Sequence, residues 1–248
     1  MIPAVGLYEI FHQYEGQEKA SLSNLSLEIL QGEKLGLFGP NGAGKTTLMQ
    51  IMTGLLSPSK GSINVLGMSF EKHKKKIHQV IGFVPQDFSF YHELTALENL
   101  AFFGAWYGMN RTAIKLESEQ LLDVLGLSNV SNKQVKNFSG GMKRRVNLAI
   151  GVMHHPQILF LDEPTVGVDV QTRNAIMQHL NTLNNAGTTL VYTSHQLKEA
   201  EELCNRVAMI DEGKIIAIDT LANLMEKHQQ QSLEGLFLNL TGQAYRDA

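Results

Sequence analysis

"KLGLFGPNGAGKTTLMQIMTG", residues 34–54, is the stretch on which the fold turns. Its apolar start, Lys34 to Phe38, reads as a short buried strand, and the part from Gly44 as a helix that stops at Gly54. Between them "GPNGAGKT", Gly39 to Thr46, matches G-x-x-x-x-G-K-[ST] in the strand–loop–helix setting that gives the pattern its meaning. Gly42 and Gly44 let the backbone curl so that its N–H groups point at phosphate oxygens. Lys45 reaches the outer phosphates, and the Thr46 hydroxyl can ligate Mg2+. A glycine turn that merely caps a helix has no use for a lysine and a threonine at those offsets. The stretch predicts a nucleotide-binding α/β fold.

Further along, "QILFLDEP" (157–164) supplies a second buried strand, with Asp162 at its carboxyl end, where α/β ligand sites form. An aspartate there can hold magnesium. Glu163 follows and, in extended chain, points the other way, as a general base orienting the attacking water would. Two more polar residues end strands: Gln86 after "GFVP" and His195 after "LVYTS", both within reach of a shared γ-phosphate region. His92, His154, His155 and His179 have no such placement and read as surface residues. Guanine-specific recognition is disfavoured, because the only candidate for N-K-x-D is "NKQV" (132–135), with Val135 where aspartate is required.

The rest of the chain fits this frame. Its 248 residues suffice for a sizeable core, and a net charge of −3 gives no support to nucleic-acid binding. The lone Cys204 fits a reducing compartment. The longest apolar run, "LAFFGAWYGM" (100–109), is about half of a bilayer span. The start "MIPAVGLYEIFHQYEG" lacks a basic leader, so the chain reads as soluble and cytosolic. "VGLYEIFHQY" and "LSNLSLEIL" read as antiparallel strands, and "TTLVYTSH" and "RVAMIDEGKIIAI" as strands of a mainly parallel sheet. Residues 87–153 change texture to helix, with Thr95 and Glu98 as a capping box and Gly126 as a stop, and form a helical subdomain inserted in a domain spanning 1–218. Residues 219–248 are a helical tail, in which Leu233, Leu236, Phe237 and Leu240 make one apolar stripe expected to pack on the parent domain. The basic run "KHKKK" (72–76) reads as a solvated face.

One stretch remains unexplained by a single phosphate cradle. In "NFSGGMKRRVNLAIGV" (137–152) a serine N-cap and two glycines open an amphipathic helix and leave its amides bare, a second anion site. Here the residues resemble a family. "FSGGM", Phe138 to Met142, resembles the signature of ABC-type ATPases, and the accompanying motifs stand in that family's order. They are the P-loop at 39–46, the Q-loop Gln86, the Walker B carboxylates Asp162 and Glu163, the D-loop "VGVD" (166–169) and a switch histidine at His195. Tyr14 matches the aromatic that stacks on adenine. A core tyrosine is the alternative, and Tyr8 and Phe11 lie close by.

The resemblance implies the fold: a P-loop ATPase core with an N-terminal antiparallel β-subdomain and an inserted α-helical subdomain. It implies ATP bound by Tyr14, Gly39, Pro40, Asn41, Gly42, Ala43, Gly44, Lys45, Thr46 and Thr47, with Mg2+ on Thr46, Gln86 and Asp162. Catalysis falls to Glu163, His195, Gln86 and Lys45. Ser139, Gly140, Gly141 and Met142 then act in trans, closing over ATP held by a second subunit, with Asp169 across the interface. The dimer is one of identical chains or of sister ATPases. "VPQDFSFYHELTALENLAFFGAWYGM", "GGMKRRVNLA" and the tail "QQSLEGLFLNLTG" are similar to the ABC-2 type exporter ATPases, as is Met142 in place of the usual signature glutamine. That implies a separate integral membrane permease and a peripheral position at the cytoplasmic face of the inner or plasma membrane. Phe88, Phe90, Tyr91 and His92 are the expected docking floor. A soluble ATPase acting on ribosomes or DNA is the rival, and it fits poorly with one motif set, no coiled-coil arm and one cysteine.

Overall fold

A computed structural model describes residues 2–194 and 196–242. In chain order the strands β1 (Val5–His12), β2 (Leu22–Ile29) and β3 (Lys34–Phe38) lead into helix α1 (Lys45–Met52). Then come β4 (Lys60–Val65), β5 (Met68–Ser69), α2 (Phe70–Val80) and β6 (Ile81–Val84). Helices α3 (Ala96–Trp106), α4 (Arg111–Val124) and α5 (Gly140–Val152) follow, and β7 (Ile158–Asp162), α6 (Val170–Asn185), β8 (Thr189–Thr193) and α7 (Leu197–Leu203) return to the sheet. β9 (Arg206–Asp211), β10 (Lys214–Thr220), α8 (Leu221–His228) and α9 (Leu233–Thr241) complete the chain.

Two sheets form. The antiparallel one has the order β2-β1-β4-β5, and the larger one β10-β9-β3-β8-β7-β6. In the larger sheet every pairing is parallel except the β9–β10 hairpin. A parallel sheet is buried on both faces, and β7 shows why its sequence is an unbroken apolar run. Ile158 and Phe160 point into the core shared with β1, β2 and α1, whereas Leu159 and Leu161 point into the core beneath α3, α4, α5 and α6.

Because β3, β6, β7 and β8 run the same way, their carboxyl ends share one edge. Val84 lies beside Leu161, and Asp162 beside Thr193. Gln86, Asp162, Glu163 and the loop after Phe38 all leave the sheet at that edge, the position where open α/β sheets bind ligands.

The helical stretch opens with the expected capping box. Thr95 Oγ1 accepts from Glu98 N, and Glu98 Oε2 accepts from Thr95 N at 2.8 Å. The apolar stripe of the tail packs as the spacing predicts: Leu233, Leu236 and Phe237 are buried against Phe38, Leu197, Val207 and Met209. The basic run (72–76) lies on helix α2 and is exposed along its whole length, the solvated face expected of it. One expectation is corrected. His154 and His179 are half-buried, because His154 stacks on Tyr107 with ring centroids 3.6 Å apart and burial lowers the pKa of both.

Candidate functional site

The loop from Gly39 to Gly44 turns on left-handed glycines. Gly42 has φ +79° with open space around its missing Cβ, and Gly44 has φ +105° with Ser21 O only 2.6 Å from where a Cβ would sit. A side chain is strained at the first and excluded at the second. Ala43 N closes the turn onto Pro40 O at 3.1 Å. Asn41, Gly42 and Thr46 are exposed, while Lys45 and Thr47 are buried at the start of α1. Lys45 Nζ donates to Gly39 O at 2.7 Å and Pro40 O at 3.0 Å. Burial pulls its pKa below the ordinary lysine value, opposed by the carboxylates of Glu163 and Asp162. Tyr14 stands over the same helix, half-buried, its hydroxyl 3.2 Å from Thr47 Oγ1.

Across from the loop, Asp162 is 5% exposed and its Oδ1 accepts from Thr193 Oγ1 at 2.7 Å. Glu163 does not continue the strand. Its φ is +51°, and its amide donates to Thr193 O, so the chain turns out of the sheet there. The extended backbone expected at this position is therefore replaced by a left-handed one, a conformation that costs about 1–3 kcal/mol in a non-glycine residue. The turned carboxylate meets Gln86, whose Nε2 donates to Glu163 Oε2 at 2.9 Å. Thr46, Gln86 and Asp162 line one cleft of about 490 Å³ that runs on to Trp106 and Tyr107. A hydroxyl, an amide and a carboxylate facing a shared space are the hard oxygen donors that suit Mg2+.

Ser139 caps α5, accepting from Met142 N at 3.3 Å, and Ser139 and Gly140 are exposed. The Met142 side chain lies against the core under the helices. The signature residues are absent from the lining of the Thr46–Asp162 cleft and adjoin the D-loop instead. A Cβ on Gly140 would lie 3.8 Å from Gly167 O, and one on Gly141 would lie 3.6 Å from an Asp169 oxygen. Asp169 is the N-cap of α6, and hydrogen bonds from Thr172 N and Oγ1 hold its carboxyl below the usual range. The sequence-predicted residues thus fall into two groups, one around the P-loop and one around the signature. His195 lies outside the described residues.

Three side chains that the sequence did not single out tie these groups together. Arg144, buried on α5, donates from NH1 to Gln86 O at 2.7 Å and from NH2 to Val166 O at 3.5 Å, while stacking over Phe88. A long cation on the apolar face of an amphipathic helix was the available signal. Thr193 orients Asp162. Glu199, 1% exposed, accepts from Thr165 Oγ1 and Tyr192 OH at 2.6 Å, Ser194 Oγ at 3.1 Å and Arg173 Nε at 2.8 Å. Those partners come from three separate segments, which no local pattern reveals.

The expected docking floor is divided. Phe90 is a core residue and Phe88 is partly buried, whereas Tyr91, 49% exposed, and His92 face outward. Phe102 and the 78% exposed Trp106 on α3 enlarge the exposed aromatic surface, with Tyr91 edge-on to Phe102 at 4.9 Å. Among the described residues no helix is long and apolar enough to cross a membrane.

Residues 22–166 match the family model described as ABC transporter. The chain is 42% identical over 85% of its length to the linearmycin resistance ATP-binding protein LnrL of Bacillus subtilis, spanning 68% of that protein. It is 37% identical over 79% of its length to the Nod factor export ATP-binding protein I of Cupriavidus pinatubonensis, spanning 60% of it. Its fold is similar, with a TM-score of 0.81 and 28% identity, to an ATP-binding cassette solved as a dimer in a post-hydrolysis state bound to ADP and Pi. That match covers 88% of this chain and 98% of the other.

Proposed function

The chain belongs to the ABC transporter family of ATP-binding subunits, and we propose that it powers an exporter of the ABC-2 type through a head-to-tail dimer. As a member it is an ATPase. The observation that carries the dimer is the split of the site. Thr46 of the P-loop, Gln86 and Asp162 line one cleft, with Glu163 hydrogen-bonded to Gln86, while Ser139 and Gly140 at the start of α5 face solvent beside the D-loop. A serine hydroxyl and bare helix-start amides are donors for a phosphate that their own chain does not bring to them. A second copy, turned so that its signature meets this P-loop, completes both sites at once.

In this reading Gly42, Gly44 and Lys45 hold the ATP phosphates, and Tyr14 stacks on the base. Thr46, Gln86 and Asp162 hold Mg2+, which when bound neutralises charge on the phosphate oxygens. Glu163 orients water as general base, and Gln86, bonded to it, registers whether the γ-phosphate is present. His195, the switch histidine of the resemblance, is assigned to the same step. Arg144 carries the change from Gln86 to the signature helix.

Export is supported by two relatives, one named for linearmycin resistance and one for Nod factor export. A separate permease is supported by the exposed Trp106, which lines the cleft, by the exposed Tyr91 and Phe102 packed on each other on the same helical subdomain, and by the lack of a membrane-length helix among the described residues. The division into a 1–218 ATPase domain, with its 87–153 helical insertion, and a 219–248 tail belongs to the same proposal, as does a peripheral position at the cytoplasmic membrane face. The test is purification of the tagged chain from detergent-solubilised source cells, with mass spectrometry of its companions. A multi-pass membrane protein is expected. Ribosomal or DNA-repair proteins in its place overturn the transporter reading and leave the ATPase.

A further inference from the structure

Helix α2 is out of character with its chain. The protein carries a net charge of −3, yet Lys72, Lys74, Lys75 and Lys76 fall within five positions of α2, against one acid, Glu71. All four lysines are exposed, and none belongs to a described salt bridge. The helix is anchored by the buried Ile77, with Phe70 and Val80 partly buried against the same core, so its lysine-bearing face is left to solvent.

What lies beside it narrows the choice. A second cleft, of about 670 Å³, separates Lys74, Lys75, His78 and Gln79 from Trp106, Tyr107 and Gly108 at the end of α3. Trp106 is the most exposed large apolar side chain in the described residues, and Phe102 precedes it by one helical turn on the same face. An exposed indole next to a lysine cluster is the combination that settles at a membrane–water interface: the ring sits at headgroup level and the ammonium groups meet lipid phosphates. A solvated basic face explains the lysines but leaves the bare indole and its neighbours in water. A nucleic-acid groove would explain the charge, but the rest of the chain is acidic.

We propose that α2 and the aromatic end of α3 form a contact surface for the anionic headgroups of a lipid bilayer. This deepens the reading above, since a motor held under a permease presents one face to the membrane. His78, Trp106 and Tyr107 line both this cleft and the one running to Gln86, so the lipid surface borders the groove where the permease would dock. The occupant is the headgroup layer rather than free phosphate, because the basic and aromatic parts lie side by side along an open surface.

The test is sedimentation of the full chain with vesicles of equal phosphatidylglycerol and phosphatidylcholine, against phosphatidylcholine alone. The chain is expected on the anionic vesicles only, and to be released as salt rises from about 0.1 to 1 M, where the screening length falls from about 10 to about 3 Å. Replacing Lys72, Lys74, Lys75 and Lys76 together by Gln lowers partitioning roughly fivefold per lysine, on the order of several hundredfold in all. That variant keeps its basal ATPase in solution, which shows that it folds. Trp106→Ala is expected to weaken vesicle binding on its own. No binding to anionic vesicles, equal binding to neutral ones, or an unchanged quadruple variant each overturns the proposal. So does a variant that binds vesicles normally but loses the permease in lipid-free detergent, which makes the patch a protein dock. Co-purification of the permease is scored separately, so the transporter reading can fail while the lipid surface stands, and the reverse.

Discussion

Replacing Glu163 by Gln removes one negative charge and almost no volume. The carboxylate is 6% exposed and accepts from Gln86 Nε2 at 2.9 Å; a carboxamide oxygen at the same place accepts the same bond. The backbone at 163 keeps φ +51° in either residue, so the strain is common to both and stability changes by less than about 1 kcal/mol. Lys45 keeps Asp162 as a carboxylate neighbour and keeps its bonds to Gly39 O and Pro40 O, so ATP binding persists. What disappears is the proton acceptor. Loss of a general base slows turnover on the order of 10²–10⁴-fold, about 3–5 kcal/mol of barrier. Single-turnover phosphate release should show that loss, and light scattering with ATP and Mg2+ should show a dimer that the unmodified protein forms only transiently. Turnover within tenfold of the parent protein would falsify the assignment of Glu163, and a variant that stays monomeric with bound ATP would count against the sandwich.

Glu199→Ala strands Arg173, Tyr192, Thr165 and Ser194 around a hole and should cost about 3–5 kcal/mol in urea unfolding; a loss below about 1 kcal/mol means that water fills the role. Arg144→Ala removes a charge-assisted bond to Gln86 O, and a loss of about 2–3 kcal/mol is expected, together with slower ATP turnover. Arg144→Lys should not rescue it, because an ammonium cannot reach two carbonyls while stacking on Phe88; full rescue refutes the bridging role. His154 has its pKa pushed down to about 4 by burial, from 6.5 in the unfolded chain. Between those values the unfolded chain binds the extra proton, so stability falls as pH drops through that window, by about 3 kcal/mol in all. His154→Phe should flatten that part of the unfolding profile, and an unchanged slope assigns the proton uptake elsewhere.

What the sequence disclosed was local. The P-loop, the β7 strand with its terminal aspartate, the Thr95–Glu98 box and the Ser139 cap each rest on residues a few positions apart, and each forms as its pattern demands. Helix α2 escaped notice because lysines and histidines fill it and a single buried isoleucine gives no periodic stripe. Neighbouring aromatics could not be sorted from the sequence: Phe90 enters the core and Tyr91 faces out, a difference set by how the loop lies on α5. Glu163 looked like an ordinary strand residue, and only the hydrogen bonds to Thr193 show why the chain turns there. His154 appeared free until Tyr107 and the Ile81 carbonyl were seen around it.

The claim that one chain supplies half of each ATP site is tested most directly by mixing two inactive variants. Lys45→Ala disables a P-loop, and Ser139→Arg disables a signature. A homodimer of either holds two broken sites, but a mixed dimer joins the intact P-loop of one chain to the intact signature of the other. If the signature acts in trans, the equal mixture hydrolyses ATP, with roughly a quarter of its sites whole after random pairing. If each chain completes its own site, the mixture is as inactive as its components.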